Sequence, residues 1–223
     1  MLMLNRFTGF GVGRVRPTIS NTHNAATATD SSAFNFTSCS IGAEASNRHV
    51  VVVAGGSAGS GATGISSLVI NGVSATQLVS STNTDTGQSS TTEIWIAAVP
   101  TGTSVTITPT YASERPRQFI SVYAVYGLSS ATAVATQTST ANNPTLDLNV
   151  QGGGVVIAGA IGNNSTAYTW SGLTEAYDTA TETVGMSSAY AGNLSTATPK
   201  AVSATRSAAP DPGAATACAV SLR

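Results

Sequence analysis

Residues 48–54 read RHVVVVA. Side chains on a strand alternate between its two faces, so four consecutive valines put two on each side. Such a strand must be covered on both faces, which excludes a sheet with one side in water. The run leads into a glycine-rich stretch, GGSAGSGATG, at 55–64. A second apolar run framed by glycines, GGGVVIAGAI, occupies 152–161. We expect both valine runs to be buried central strands, and 55–64 to be a surface loop. The recurrence suggests a chain built from two related halves.

The remaining segments read as further strands. Phe34–Ile41, Thr92–Val99, Ser104–Pro109 and Thr145–Val150 alternate apolar and polar residues, the period of a half-buried strand. Ile65–Ile70, Ala75–Ser80, Phe119–Tyr126, Tyr168–Ala176, Val184–Ala191, Lys200–Arg206 and Thr216–Leu222 are β-branched or aromatic-rich. Asn71-Gly72 is a strong two-residue hairpin signal. No segment carries an amphipathic helical period, so the pattern predicts an all-β antiparallel sandwich. Residues 1–33 lack any period and carry Gly, Pro, Ser and Asn. They are expected to form an extended N-terminal arm, with the sandwich over 34–223.

The two halves, about 34–127 and 144–223, align in order. VVVAG at 51–55 matches VVIAG at 155–159, and INGVSAT at 70–76 matches WSGLTEA at 170–176. IAAVPTGTSVTIT is echoed by SAYAGNLSTATPKAVSAT, and ISVYAVYGL by ACAVSL. Two arrangements fit: two packed sheets of one sandwich, or two consecutive small domains divided at the polar bridge 128–143, which has weak strand character at Ala133–Thr138. The first is preferred, because each half has few strands with which to build its own core.

Charge bounds the partners. Charged residues are 9% of the chain, against about 25% in a typical soluble domain. Their place is taken by Ser, Thr, Ala, Asn and Gly, a composition suited to a protein that packs against copies of itself. The net charge of −1 provides no field to attract nucleic acid or an anionic membrane. Arg6, Arg14 and Arg16 form a local exception, with no acidic residue before Asp30. They belong either to a solvated tail or to an arm that docks on an acidic partner. The cluster Glu114-Arg115-Pro116-Arg117 is expected as an exposed loop or an inter-subunit contact. Arg6, Arg14, Arg16, Arg115 and Arg117 are therefore the candidate partner-binding residues. No stretch approaches the 18 or so apolar residues of a membrane span. MLMLNRF is too short for a signal-peptide core.

Chemical motifs are weak. Gly59-x-Gly61-x-x-Gly64 follows a valine strand and Asp85 lies further on, as in a dinucleotide fingerprint. That motif needs a helix after the glycines to face a pyrophosphate, and ISSLVINGVSAT is β-branched. His23 and His49 are the two histidines, and no GxSxG elbow accompanies them. Glu175, Asp178 and Glu182 could hold Ca²⁺ only weakly. Trp95, Trp170 and the tyrosines could form a sugar platform but suit a core better. Cys39 and Cys218 lack metal spacing and are expected as buried free thiols. No catalytic residue, metal or cofactor is assigned, and an enzyme is not expected.

SIGAEASNRHVVVVAGG, SLVINGVSATQLVSS, TEIWIAAVPTGTSVTITPTY and FISVYAVYGL, with NVQGGGVVIAGAI and YTWSGLTEAYD, resemble uncharacterised virion structural proteins of tailed bacteriophages and prophages. The resemblance covers roughly 34–222. It implies a jelly-roll-like β-sandwich of the capsid decoration (cement) type, with a role of clamping neighbouring major capsid proteins on the outer shell. The partners it implies are the major capsid protein and sister copies in a homotrimer. It implies a location in the virion after synthesis in the host cytoplasm. The alternative it leaves open is a tail or tail-fibre component whose sandwich binds carbohydrate or a receptor.

Overall fold

A computed structural model describes residues 15–59, 64–85, 87–163, 167–207 and 215–223. The first half contains β1 (Thr18–Thr27), β2 (Ser31–Ala33), β3 (Phe36–Ser40), β4 (Arg48–Gly59), β5 (Ile65–Ile70), β6 (Val73–Ser74), β7 (Thr76–Asp85), β8 (Gln88–Ala98), β9 (Ser104–Arg115) and β10 (Arg117–Tyr126). The second contains β11 (Ala135–Ser139), β12 (Leu148–Val150), β13 (Val155–Asn163), β14 (Tyr168–Ser171), β15 (Thr174–Thr181), β16 (Val184–Ala191), β17 (Ala197–Lys200), β18 (Ser203–Arg206) and β19 (Thr216–Leu222). The described chain is all-β, and every strand pair is antiparallel. No helix in it is long and apolar enough to cross a membrane.

Each half has one central five-stranded sheet. Their orders are β1-β10-β4-β8-β7 and β11-β19-β13-β16-β15. The orders correspond strand for strand, with β4 and β13 in the middle of each. The four aligned sequence blocks fall in corresponding places. The valine runs lie in β4 and β13, the INGVSAT and WSGLTEA turns lead into β7 and β15, and the last blocks form β10 and β19. Outside the first sheet lies a smaller one, with β9 paired to β2, β3 and β5, and β5 to β6. Outside the second lie two short pairs, β12-β17 and β14-β18.

Three cores separate these layers. Val50, Val52, Trp95 and Val122 pack with Leu68, Ile70 and Ile107 of the first outer layer. Val51, Val53, Ile94, Tyr123 and Val125 pack with Val155, Ile157, Met186 and Val220 of the other large sheet. Val156, Ala158, Ala160 and Ala219 pack with Leu146, Leu148, Trp170 and Val202 of the second outer pairs. The four valines therefore divide two and two between the first and middle cores, and all four are fully buried. The halves share the middle core, while each carries an outer layer of its own, so the architecture combines features of both arrangements weighed from the sequence.

The two large sheets face each other in opposite senses. Asn24 on β1 donates to the Ala176 carbonyl on β15 at 3.2 Å, and Ser81 on β7 donates to the Ser139 carbonyl on β11 at 3.2 Å. Inside, the Tyr123 hydroxyl on β10 donates to Ser188 Oγ on β16 at 2.8 Å. Thr92 on β8 and Thr216 on β19 share a hydroxyl bond of 2.9 Å. Under the strand correspondence each bridge maps onto its partner bridge, so a pseudo-two-fold axis runs between β4 and β13. At that crossing Gly159 leaves room for Val53: a Cβ on Gly159 would overlap Val53 Cγ1 and lie 3.2 Å from Thr92 Cγ2.

Two expectations need correction. Thr18–Thr27, placed in the arm, is a full edge strand paired along β10. The bridge 128–143, with weak strand character read at Ala133–Thr138, supplies β11, the edge strand at the corresponding position. Residues 55–59 continue β4 rather than opening a loop, and Gly55, Gly56 and Ser57 are buried. The cause at Gly55 is a close approach: a Cβ there would lie 2.5 Å from Phe119 Cε1 and from the Thr91 carbonyl. Residues 60–63 lie outside the described residues.

Candidate functional site

The root of the N-terminal segment is built by both halves. Chain entering at Val15 passes between two glycines in the left-handed region, Gly127 (φ 74°) and Gly153 (φ 80°), a conformation that side chains resist. A Cβ on Gly127 would sit 3.0 Å from Val15 Cγ1, and one on Gly153 would sit 3.2 Å from Arg16 Cγ. Two hydrogen bonds pin the segment. The Arg16 guanidinium donates to Asn193 Oδ1 at 2.8 Å, and Arg223 Nη1 donates to the Val15 carbonyl at 3.1 Å. The Arg223 carbonyl in turn accepts from the Ser129 and Ser130 N–H groups at 3.0 and 3.2 Å, where the first half hands over to the second.

Two adjoining hollows flank this root and share Arg223. One, of about 530 Å³, is lined by Val15, Asn47, Gly127, Leu128 and Gln151. The other, of about 660 Å³, is lined by Arg16, Gly152, Gly153, Asn193 and Ser195. Val15 is 69% exposed. The corner thus combines exposed apolar surface, two guanidinium groups and small polar side chains. It suits contact with a protein surface that carries carboxylates.

The five candidate arginines separate. Arg6 and Arg14 lie outside the described residues. Arg16 sits at the root just described. Arg115 is fully buried, which removes it from the surface set. It donates to Ser89 Oγ at 3.2 Å and stacks 5.3 Å above the Tyr111 ring. Burial lowers its pKa, while Tyr111 and Glu93 oppose that shift. The cluster 114–117 is the sharp β9–β10 connection, and turning the chain there drives Arg115 inward. Arg117 stays at the surface and pairs with Glu182 at 2.5 Å.

The other motifs resolve as structure. Gly64 is followed directly by strand β5, so the glycine motif lacks the helix a nucleotide cradle requires. His23 and His49 lie on different strands, β1 and β4. Glu182 is committed to Arg117, and among the described residues no group of three His, Cys, Asp or Glu side chains could hold a metal. Trp95 and Trp170 are core residues, and Trp170 donates its indole N–H to Ser187 Oγ at 2.8 Å. Cys39 and Cys218 are free, buried thiols in different cores.

Two buried polar centres escape sequence reasoning. Arg48 donates to five backbone carbonyls, those of Val99, Gly42, Ala43, Thr101 and Gly102, at 2.7 to 2.9 Å. It uses every guanidinium donor to tie two loops to the start of β4. Glu93 accepts four bonds, from Ile65 N–H, Thr91, Gln77 and Trp95, at 2.6 to 3.0 Å. The only hint of either is a charge abutting a run that must be buried. Comparison with protein-family models, with curated proteins and with solved structures found no match.

Proposed function

We propose that this chain is a virion structural protein of the capsid decoration type, which binds the outer shell and clamps neighbouring major capsid proteins. The observation that carries the reading is the root of the N-terminal segment. It leaves a corner held by both halves, beside two guanidinium groups and an exposed valine. Arg16 at this root, with Arg6 and Arg14 before it in the sequence, suits carboxylates on a capsid subunit or a sister copy.

The four-layer body supports the same reading. The buried charges Arg48 and Glu93 are spent on holding backbone and side chains of the body, which favours a rigid spacer. Weak contacts repeated over a symmetric shell sum by avidity, and a trimer would multiply them further.

The test is deletion of residues 1–14. Deletion to residue 30 would remove β1 and confound the result, since β1 pairs along the whole of β10. The shortened chain is expected to fold, with the far-ultraviolet dichroism and melting of the full chain, but not to decorate shells. Normal decoration by the folded deletion would refute the arm as the attachment device.

A further inference from the structure

We infer that a cleft on the seam between the halves binds a small oxyanion. This cleft is remote in sequence from the arm root and plays no part in the proposed attachment. It has a volume of about 190 Å³, space for about six waters at roughly 30 Å³ each. Ser57, Gly59, Gly87 and Arg117 come from the first half, and Asn163 and Thr183 from the second.

The polar atoms inside are matched to an acceptor. Asn163 is 7% exposed. Its Oδ1 accepts from the buried Ser57 hydroxyl at 3.4 Å, and its backbone carbonyl accepts from the Arg206 guanidinium. The Ser57 bond sets Oδ1 at the hydroxyl and leaves Nδ2 as the free end of the amide. Asn163 Nδ2 and Arg117 Nε are both buried and have no hydrogen-bond partner. Buried polar groups are ordinarily paired, and an unmatched donor loses its hydration without replacement. Two unmatched donors lining one cleft call for an acceptor of more than one oxygen.

The charge is suitable as well. Glu182 contacts Arg117 through Nη2 and stays half-exposed at the rim, so the Nε edge is left for a ligand. The walls at Gly59 and Gly87 carry no side chain, and Gly87 (φ 83°) has open space where a Cβ would be. An anion of inorganic phosphate or sulfate size would take hydrogen bonds from both halves at once. Its binding would therefore stabilise their junction.

The test uses the full chain and sodium sulfate or phosphate, titrated against sodium chloride at matched ionic strength. Proton–nitrogen spectra follow the Asn163 side-chain amide and the Arg117 Nε–H. Saturable shifts of these two signals are expected with sulfate or phosphate and not with chloride, together with a rise in the melting midpoint. N163D, which swaps a donor for a carboxylate, is expected to weaken binding at least tenfold. E182Q, which removes the rim carboxylate, is expected to tighten it. Shifts that grow linearly and equally with all three salts would overturn the site and leave it to water. So would unchanged affinity in N163D. The wild-type titration decides alone if N163D does not fold.

Discussion

Substituting Gly159 by alanine tests how the two halves meet. Gly159 is mid-strand in β13 and fully within the middle core. On propensity alone the change should help, since glycine in a strand costs about 0.5–1 kcal/mol relative to alanine. The contact opposes this. The new Cβ would overlap Val53 Cγ1 and press on Thr92 Cγ2 at 3.2 Å. Neither neighbour is the end of a flexible side chain: both are β-branched residues in strands packed on two faces. Overpacking of this kind costs about 1–3 kcal/mol, so we expect G159A to lose about 1–2 kcal/mol after its propensity gain. The decisive measurement is a double-mutant cycle with V53A. Removing the valine methyls should cost about 2 kcal/mol alone, yet relieve the overlap. A favourable coupling of at least about 1 kcal/mol is expected in urea unfolding with unchanged slope. Additive losses would refute the seating of Val53 on Gly159, and with it the placement of the pseudo-two-fold axis.

Two further outcomes follow from buried charge. R48M should lower stability by about 3–5 kcal/mol, because five carbonyls lose a charged donor; R48K, with three donors against five, should recover part of this in the same unfolding assay. Burial raises the Asp178 pKa to about 6, Glu175 adds to the rise, and the Tyr168 N–H bond opposes it. A folded pKa above the unfolded one stabilises the fold at low pH, and that benefit is lost as pH rises through about 6. D178N should therefore gain on the wild type by about 1 kcal/mol at pH 7, a figure reduced for solvent screening, and the gain should vanish near pH 4.

The architecture was legible wherever residues were apolar. The valine run required cover on both faces, and its division between two cores supplies that cover. β1, misread as arm, and β11, legible only as weak strand character at Ala133–Thr138, share one cause. Both are edge strands of mostly small polar residues, half-buried in β1 and mostly exposed in β11, so neither face imprints an apolar period. The repeat offers the missing signal: a strand before β4 implies a counterpart before β13. Small polar residues misled in another way. Ser89, Ser90, Thr91 and Thr92 carry no apolar signal, yet all are fully buried. Hydroxyl pairs such as Thr92–Thr216 and Ser188–Ser121 satisfy the polar groups across the middle core. The donor-lined cleft was illegible for a different reason, since Ser57, Arg117 and Asn163 meet only through the packing of the halves.

The attachment role is tested most directly by counting. Quantitative mass spectrometry of purified particles, with the major capsid protein as internal standard, gives the number of copies of this chain per virion. The decoration role predicts hundreds of copies, in a fixed ratio to the capsid protein. A handful of copies, as a tail component would give, or none, would contradict it.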